Sequence, residues 1–231
     1  MNQDWHSVKL GSLKGKPVIT GFHGIGFVGF IAVDFMVRKL ETKRVDWYFN
    51  NNLPAVVFAG KKKLEMPVEF YSKKDLGFLK LSVMAEGEVL NQVIEDNLRA
   101  MKDAGVKSLI VIGGLASKTS GAIFGVSNQK GEKIMKEMKL KPLEKEITVF
   151  GPMAASLIYG EKIGLPVICI LSGASSNLPD PKAASTAINH LASIFGFELD
   201  TKDLEKDAKK VKKRIKELDN VEDPLKDRMF V

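Results

Sequence analysis

The stretch that most constrains the fold is 17–30, PVITGFHGIGFVGF, in which a short apolar run leads into closely spaced glycines. A short run rich in Val and Ile is typical of a buried strand, and the longer apolar segment that follows, up to Leu40, is typical of a helix. Glycine at the junction permits a positive φ and lets neighbouring backbones come close together. The sequence therefore predicts a strand, a glycine turn and a buried helix, the opening of an α/β domain.

Residues 24–29, GIGFVG, also match the dinucleotide-binding fingerprint GxGxxG. That fingerprint requires an acidic residue about 20 residues further on, at the carboxyl end of the next strand, where it binds a ribose. Asp46 has roughly this spacing, but it precedes the apolar run 47–49 and so falls at the start of that strand. We therefore predict no cofactor and expect the glycines to serve the close packing of a turn.

Size, charge and cysteine content narrow the class of protein. The 231 residues suffice for one domain with a large core. The net charge of +7 invites a nucleic-acid partner, but acidic residues are interleaved and the sequence has no nucleic-acid motif, so we predict none. We also predict no membrane partner, because no apolar run approaches about 20 residues. The single cysteine, Cys169, lies in a predicted buried strand, which favours a cytoplasmic protein without disulfides.

Predicted strands and helices alternate along most of the chain. This alternation predicts an α/β protein, a three-layer sandwich with a mostly parallel sheet, to which the strand-rich region 45–84 adds an antiparallel section. The predicted strands after the first are 45–49, 56–59, 68–71, 79–83, 108–112, 148–150 and 166–171, and the predicted helices after the first are 88–104, 128–138, 151–163 and 179–195.

The segment 202–218 has apolar residues at heptad spacing, and the remaining face is charged. This pattern predicts an amphipathic helix with one apolar stripe. The stripe needs a partner surface, either on its own domain or on another subunit as an oligomer interface. Pro224 ends helical propensity soon afterwards. We therefore expect a single domain over 1–219 and a flexible tail over 220–231. The stripe consists of Leu204, Ala208, Val211, Ile215 and Leu218.

Residues that carry chemistry are sparse. The three histidines have neither the spacing of zinc ligands nor a neighbouring catalytic motif, so we predict no metal site and no catalytic residues. Glycines follow several predicted strands, where α/β folds bind ligands. A crevice there, lined by His23, Glu86 and Glu88, leaves open a nucleoside- or phosphate-binding enzyme. Glycines also end strands in any such fold, and we predict that the protein is not an enzyme.

Three short motifs, in this order, resemble the proteasome assembly chaperone 2 family. They are the glycine-rich turn 21–29, the mid-chain 112–115 (IGGL) and the helix entry 177–181 (NLPDP) with two alanines following. They cover roughly residues 15 to 219. The resemblance implies a Rossmann-like sandwich similar to nucleoside phosphorylases, a role in proteasome assembly and no established enzyme activity. Archaeal members of the family are homo-oligomers, and some bind the α-ring of the 20S proteasome through a C-terminal hydrophobic–tyrosine–any tail.

The last three residues, Met229, Phe230 and Val231, resemble that tail, with phenylalanine in place of tyrosine. The resemblance implies that they bind proteasome α subunits, in assembly or in ATP-independent activation. The phenylalanine ring still fills an aromatic-sized pocket, whereas the hydrogen bond of the tyrosine hydroxyl is lost.

Overall fold

The computed structural model describes residues 8–59, 64–83, 87–116, 121–143, 145–174 and 178–204. The strands are β1 (Pro17–Gly21), β2 (Lys43–Tyr48), β3 (Phe58–Ala59), β4 (Leu64–Glu65), β5 (Val68–Lys73), β6 (Leu76–Leu81), β7 (Ser108–Ala116), β8 (Ile123–Ser127), β9 (Lys141–Pro142) and β10 (Val167–Ala174). The helices are α1 (Val28–Lys39), α2 (Gly87–Asp103), α3 (Glu132–Glu137), α4 (Gly151–Ile163) and α5 (Pro181–Phe195). Eight strands form one sheet in the order β2-β5-β6-β1-β7-β10-β8-β9, and β3 and β4 form a separate hairpin.

The central strands β6, β1, β7 and β10 are parallel and are buried on both faces. In β7, Ile110 and Ile112 pack with α1 and α5, whereas Leu109 and Val111 pack with α2 on the opposite face. None of these four side chains is more than 1 % exposed. Burial on both faces explains why β1, β7 and β10 are largely continuous apolar runs, whereas β6 carries the buried Lys80. The predicted α/β sandwich is confirmed.

Antiparallel strands extend the sheet on both sides. β5 pairs with β6 and β2 with β5, which confirms the antiparallel section predicted for 45–84. On the other side β8 runs antiparallel to β10 and carries the two-residue β9 at the edge. β8 was not predicted, because Gly125 interrupts its apolar run and weakens the signal of a strand. A Cβ at Gly125 would lie 2.8 Å from the side chain of Leu140 and 2.9 Å from that of Met135, so close packing accounts for this glycine.

Some predicted elements are wrong or shorter than expected. Residues 148–150 form no strand in the described part of the chain, because β8 fills the sheet position beside β10. Of the predicted strand 56–59 only Phe58–Ala59 pairs. The predicted helix 128–138 begins as a 3-10 turn, Gln129–Gly131, before α3.

The helices form a layer on each face of the sheet. The apolar residues of α1, α3 and α5 belong to one half of the core and those of α2 and α4 to the other. Leu204, the first position of the heptad stripe, is 1 % exposed and packs in the α1–α5 half. Its neighbour Asp203 lies 3.5 Å from Lys39 of α1. The other stripe positions and the predicted tail lie outside the described residues.

Candidate functional site

The glycine-rich turn after β1 is built by close backbone packing. Gly26 and Phe27 both have positive φ, and the Phe27 N–H donates to the Gly24 carbonyl over 2.8 Å. A Cβ at Gly29 would lie 2.2 Å from the carbonyl oxygen of Ile112, closer than any real contact. The predicted packing role of the turn glycines is therefore confirmed at Gly29, where α1 meets β7.

Asp46 lies far from this turn. It is in β2, which is separated from β1 by β5 and β6. At about 4.8 Å per strand, that separation is about 14 Å. One carboxylate oxygen of Asp46 accepts a hydrogen bond of 2.7 Å from the Lys9 N–H. Asp46 is therefore not placed to bind a ribose at the glycine turn, and the strand order is the reason.

A pocket of about 140 Å³ opens at the carboxyl ends of β1, β7 and β10. Its walls come from 22–25 after β1, from the end of β7, and from the connection 147–150 with the start of α4. Gly114 is required here, because its Cβ would lie 2.1 Å from the Ile25 carbonyl oxygen. Apart from His23 and Thr148, the described lining residues are apolar or glycine. The pocket suits an apolar group, and its described lining offers no Lys or Arg to neutralise a phosphate.

His23 is the titratable side chain of this lining. Its ring stacks on Phe30, with the ring centroids 4.2 Å apart, and meets Phe27 edge-on at 5.9 Å. Burial lowers the pKa of His23 to about 4, so the imidazole is neutral at pH 7. Its Nε2 is buried and has no hydrogen-bond partner among the described residues. A catalytic general base is normally oriented by a hydrogen-bond partner. The described residues around His23 provide no such partner for its Nε2.

The predicted crevice is therefore in the right place, but its predicted lining is only partly right. His23 lines the pocket. Glu88 does not; it is exposed in the first turn of α2. Glu86 lies outside the described residues.

Other candidate reactive groups are not assembled into a site. Within the described ranges, no group of three or more His, Cys, Asp or Glu side chains is placed to hold a metal ion. Cys169 is buried in β10, as predicted, and burial raises the pKa of its thiol. No helix in the described part of the chain is long and apolar enough to span a bilayer.

A buried charge cluster, which no sequence motif indicated, joins α1 to the sheet. Lys80 Nζ lies 2.9 Å from Asp34 Oδ1 and 3.1 Å from Glu65 Oε2. Arg38 Nε lies 2.9 Å from the second oxygen of Asp34. Asp34 itself could have indicated this cluster from the sequence, because it is a charged residue inside an otherwise apolar stretch of α1. Because Lys80 and Asp34 are almost completely buried, the cluster is a structural connection rather than a site open to substrate.

An apolar surface continues from the pocket along α4. Phe150 is 73 % exposed, Ile158 64 % and Ile147 39 %, and the half-buried Ala154 and Leu157 lie beside them on the same side of the helix. These five residues are called the α4 patch. The sequence does not indicate it, because local propensity predicts a strand over 148–150 and a helix over 151–163 without indicating which side of that helix is exposed.

The model of the PAC2 family matches residues 18–219. Two uncharacterized proteins of Methanocaldococcus jannaschii are similar to this chain. MJ0106 is 23 % identical over 202 residues, which cover 87 % of this chain and 84 % of MJ0106. MJ1210 is 22 % identical over 227 residues, which cover 92 % of this chain and 86 % of MJ1210.

Solved structures with the same fold come from archaea as well. PbaA of Pyrococcus furiosus, an archaeal homolog of proteasome-assembly chaperone, superposes with a TM-score of 0.80 at 19 % identity and covers 91 % of this chain and 95 % of its own. PbaB of the same organism, an archaeal proteasome activator, gives a TM-score of 0.72 at 19 % identity, over 93 % of this chain and 97 % of its own. A Thermoplasma acidophilum protein of unknown function gives 0.80 at 17 % identity, over 100 % and 99 %. At these identities the likeness establishes the fold.

Proposed function

Because the chain belongs to the PAC2 family, whose model matches most of its length, we propose that it binds the α-ring of the 20S proteasome. In this proposal it aids assembly of the ring or opens its gate without ATP, and it works in the cytoplasm. The family match over residues 18–219 is the observation that carries the proposal. The fold likeness to PbaA, a homolog of proteasome-assembly chaperone, and to PbaB, a proteasome activator, supports it.

The proposed contact is the C-terminal tail, Met229, Phe230 and Val231, which follows the single domain 1–219. These residues lie outside the described ranges, so the proposal rests on their sequence. The ring of Phe230 enters an apolar pocket on an α subunit, Met229 packs beside it, and the terminal carboxylate pairs with a lysine of the pocket. Fully extended, 220–231 reaches about 40 Å, enough to place Phe230 on a neighbouring surface.

One tail is expected to bind weakly, because ordering a flexible segment costs several kcal/mol. The proposal therefore includes a homo-oligomer. Several tails on one assembly gain roughly 10²–10⁴-fold in affinity through effective concentration, provided that their spacing suits the ring. We propose no cofactor and no catalytic role.

The decisive experiment is a pull-down of proteasome α subunits with three forms of the protein: full length, lacking 229–231, and Phe230→Ala. We expect binding by the full-length protein and its loss in both variants, while the matched control Leu225→Ala keeps it. Equal binding with and without 229–231 would remove the tail from the proposal. No binding by the full-length protein would overturn the proteasome proposal itself.

Peptide hydrolysis by the mature 20S proteasome separates the two modes of action. A gate-opening activator accelerates hydrolysis of a fluorogenic peptide, and the acceleration depends on Phe230. An assembly factor binds free α subunits and leaves hydrolysis unchanged.

The alternative function, a nucleoside- or phosphate-binding enzyme, would use the pocket at the strand ends. Its described lining is apolar around a neutral His23, which is poor chemistry for phosphate. In a thermal-shift screen with NAD, nucleosides and phosphate we expect no saturable shift. A ligand that binds at this site, present at a concentration one hundred times its Kd, stabilises the protein against unfolding by about 2.7 kcal/mol. Such a screen detects a change of this size.

A further inference from the structure

The connection 146–150, EITVF, has the composition of a strand but pairs with no strand in the described part of the chain. Isoleucine, threonine, valine and phenylalanine are residues that strands favour. Its last residue, Phe150, has extended backbone angles, φ −138° and ψ 172°. Among the described residues, no backbone hydrogen bond involves 146–149. The sheet position beside β10 is filled by β8, so this segment keeps its N–H and C=O groups available for a strand from elsewhere.

The pocket lies directly behind this segment, which forms its outer wall. The volume of the pocket is about 140 Å³. A cavity of about 150 Å³ is large enough for a benzene ring. The described lining carries no Asp, Glu, Lys or Arg, so a charged group would lose water there without gaining a counter-charge. The pocket therefore fits one uncharged aromatic side chain.

One wall of the pocket can adjust to an occupant. The Met153 methyl group lies on the end of β7, where a Cβ at Gly113 would be 2.3 Å from Met153 Cε. Methionine is unbranched and flexible, so its side chain fits occupants of different shape. Gly114 and Ile25, whose backbones touch, form a wall that does not move in this way.

We propose that this surface binds an extended, uncharged segment of a partner protein, which pairs with 146–149 as an added strand and places one aromatic side chain in the pocket. In strand addition, main-chain hydrogen bonds provide affinity and a side-chain pocket provides specificity. The binding segment also covers Ile147 and Phe150, the members of the α4 patch at the pocket, which are 39 % and 73 % exposed. A free small molecule would fill the pocket and leave the backbone of 146–149 without a partner. This surface is separate from the C-terminal tail, so the inference does not rest on the proposed function.

The test uses the peptide acetyl-TTFTT-amide, which carries no charge and whose threonines favour an extended backbone. In a protein with ¹³C-labelled methionine methyl groups, Met153 reports on the pocket and Met36, fully buried in α1, is the internal control. We expect a saturable shift of the Met153 signal and an unchanged Met36 signal. The peptide acetyl-TTATT-amide should bind at least about tenfold more weakly, because it has no ring to bury. Equal binding of the two peptides would overturn the inference.

Two variants of the protein locate the contact. Phe150→Ser removes an apolar side chain at the rim of the pocket and should weaken peptide binding several-fold. Ile158→Ser is the matched control, because Ile158 is also exposed on α4, at 64 %, but does not line the pocket. The control should bind the peptide as the wild type does, and thermal melting confirms that both variants fold. If Phe150→Ser binds the peptide as tightly as the wild type, the peptide lies elsewhere and the inference is wrong.

The other possible occupants give different results. A peptide methylated at every amide nitrogen cannot donate hydrogen bonds and should bind at least about fivefold more weakly, and equal binding would exclude strand pairing. If N-acetylphenylalaninamide binds as tightly as the peptide, the pocket takes a small aromatic molecule and the inference is wrong. A Met153 signal that shifts on dilution without peptide would show that a second copy occupies the pocket, which also overturns it. The absence of a saturable shift up to the solubility limit of the peptide overturns it as well, while the pull-down with α subunits still tests the tail on its own.

Discussion

Lys80 on β6 and Asp34 on α1 form an ion pair of 2.9 Å in which both side chains are only 3 % exposed. The pair joins a central strand to the helix that packs over it, and Glu65 extends it to the β3–β4 hairpin. Because both charges have left water, each depends for compensation on the other and on its second partner, Arg38 for Asp34 and Glu65 for Lys80.

Lys80→Met is therefore expected to destabilise the protein by about 3 kcal/mol, the lower end of the range for a broken buried pair, since Asp34 then keeps the partly exposed Arg38 as a counter-charge. Urea unfolding followed by circular dichroism measures the change. The matched control is Lys73→Met: Lys73 is 36 % exposed and lies 3.9 Å from the exposed Glu41, so its loss should cost less than about 1 kcal/mol. Similar costs for the two variants would contradict the structural role assigned to the buried pair.

The two glycines at the ends of the GxGxxG match should differ in their tolerance of a side chain. A Cβ at Gly29 would lie 2.2 Å from the Ile112 carbonyl, whereas a Cβ at Gly24 meets no atom within 4 Å among the described residues. We expect Gly29→Ala to cost about 3 kcal/mol or more, as forced overpacking does, and Gly24→Ala to change stability by less than about 1 kcal/mol. Thermal melting of the two variants checks this, and equal melting temperatures would contradict the packing role.

His23 should make the free energy of unfolding depend on pH in the acidic range. Its pKa is about 4 in the folded protein, against 6.5 for an exposed histidine. Between these values the unfolded chain binds more protons, so the free energy of unfolding falls as pH falls from about 6.5 to 4. His23→Phe removes this titration and should reduce the loss of stability between pH 7 and pH 4.5 by about 2 kcal/mol. Denaturant unfolding at both pH values measures it; an unchanged loss would mean that His23 is protonated in the folded protein.

The tail proposal predicts a gain as well as losses. Phe230→Tyr restores a hydroxyl that can form a hydrogen bond of about 1 kcal/mol, roughly fivefold in Kd for the α-ring. A glycine added after Val231 should weaken binding, because it displaces the terminal carboxylate. Biolayer interferometry against immobilised proteasome compares the three proteins. If the extended form binds as tightly as the wild type, the carboxylate is not part of the contact.

Much of the fold was predictable because the central strands are buried on both faces. Ile19, Ile110 and Ile168 lie in neighbouring parallel strands, and the apolar runs around them are visible without any knowledge of pairing. The family predicted from three short motifs was confirmed. The three motifs in this order are more specific for the family than any one of them alone. Domain bounds, tail contacts and oligomer contacts remain predictions.

The remainder was not predictable because an apolar run indicates that residues are buried but does not indicate which part of the protein covers them. Residues 148–150 resemble a strand, yet they line the pocket, and Phe150 projects into solvent. The pairing of Asp34 with Lys80 links positions far apart in the sequence, and no local pattern indicates it. The position of the pocket could be predicted from the glycines at the strand ends. Its outer wall is formed by the connection 147–150, in which local propensity predicts a strand.

The sheet edges limit the ways in which this molecule can associate. At one edge β9 is two residues long and ends at Pro142, which has no N–H to offer to an added strand. At the other edge β2 begins with exposed basic residues and is bulged between Arg44 and Asp46. Short, charged and irregular edges resist the addition of further strands. Within the described residues, neither edge therefore offers a ready template for extending one continuous sheet from subunit to subunit or for the growth of a cross-β aggregate.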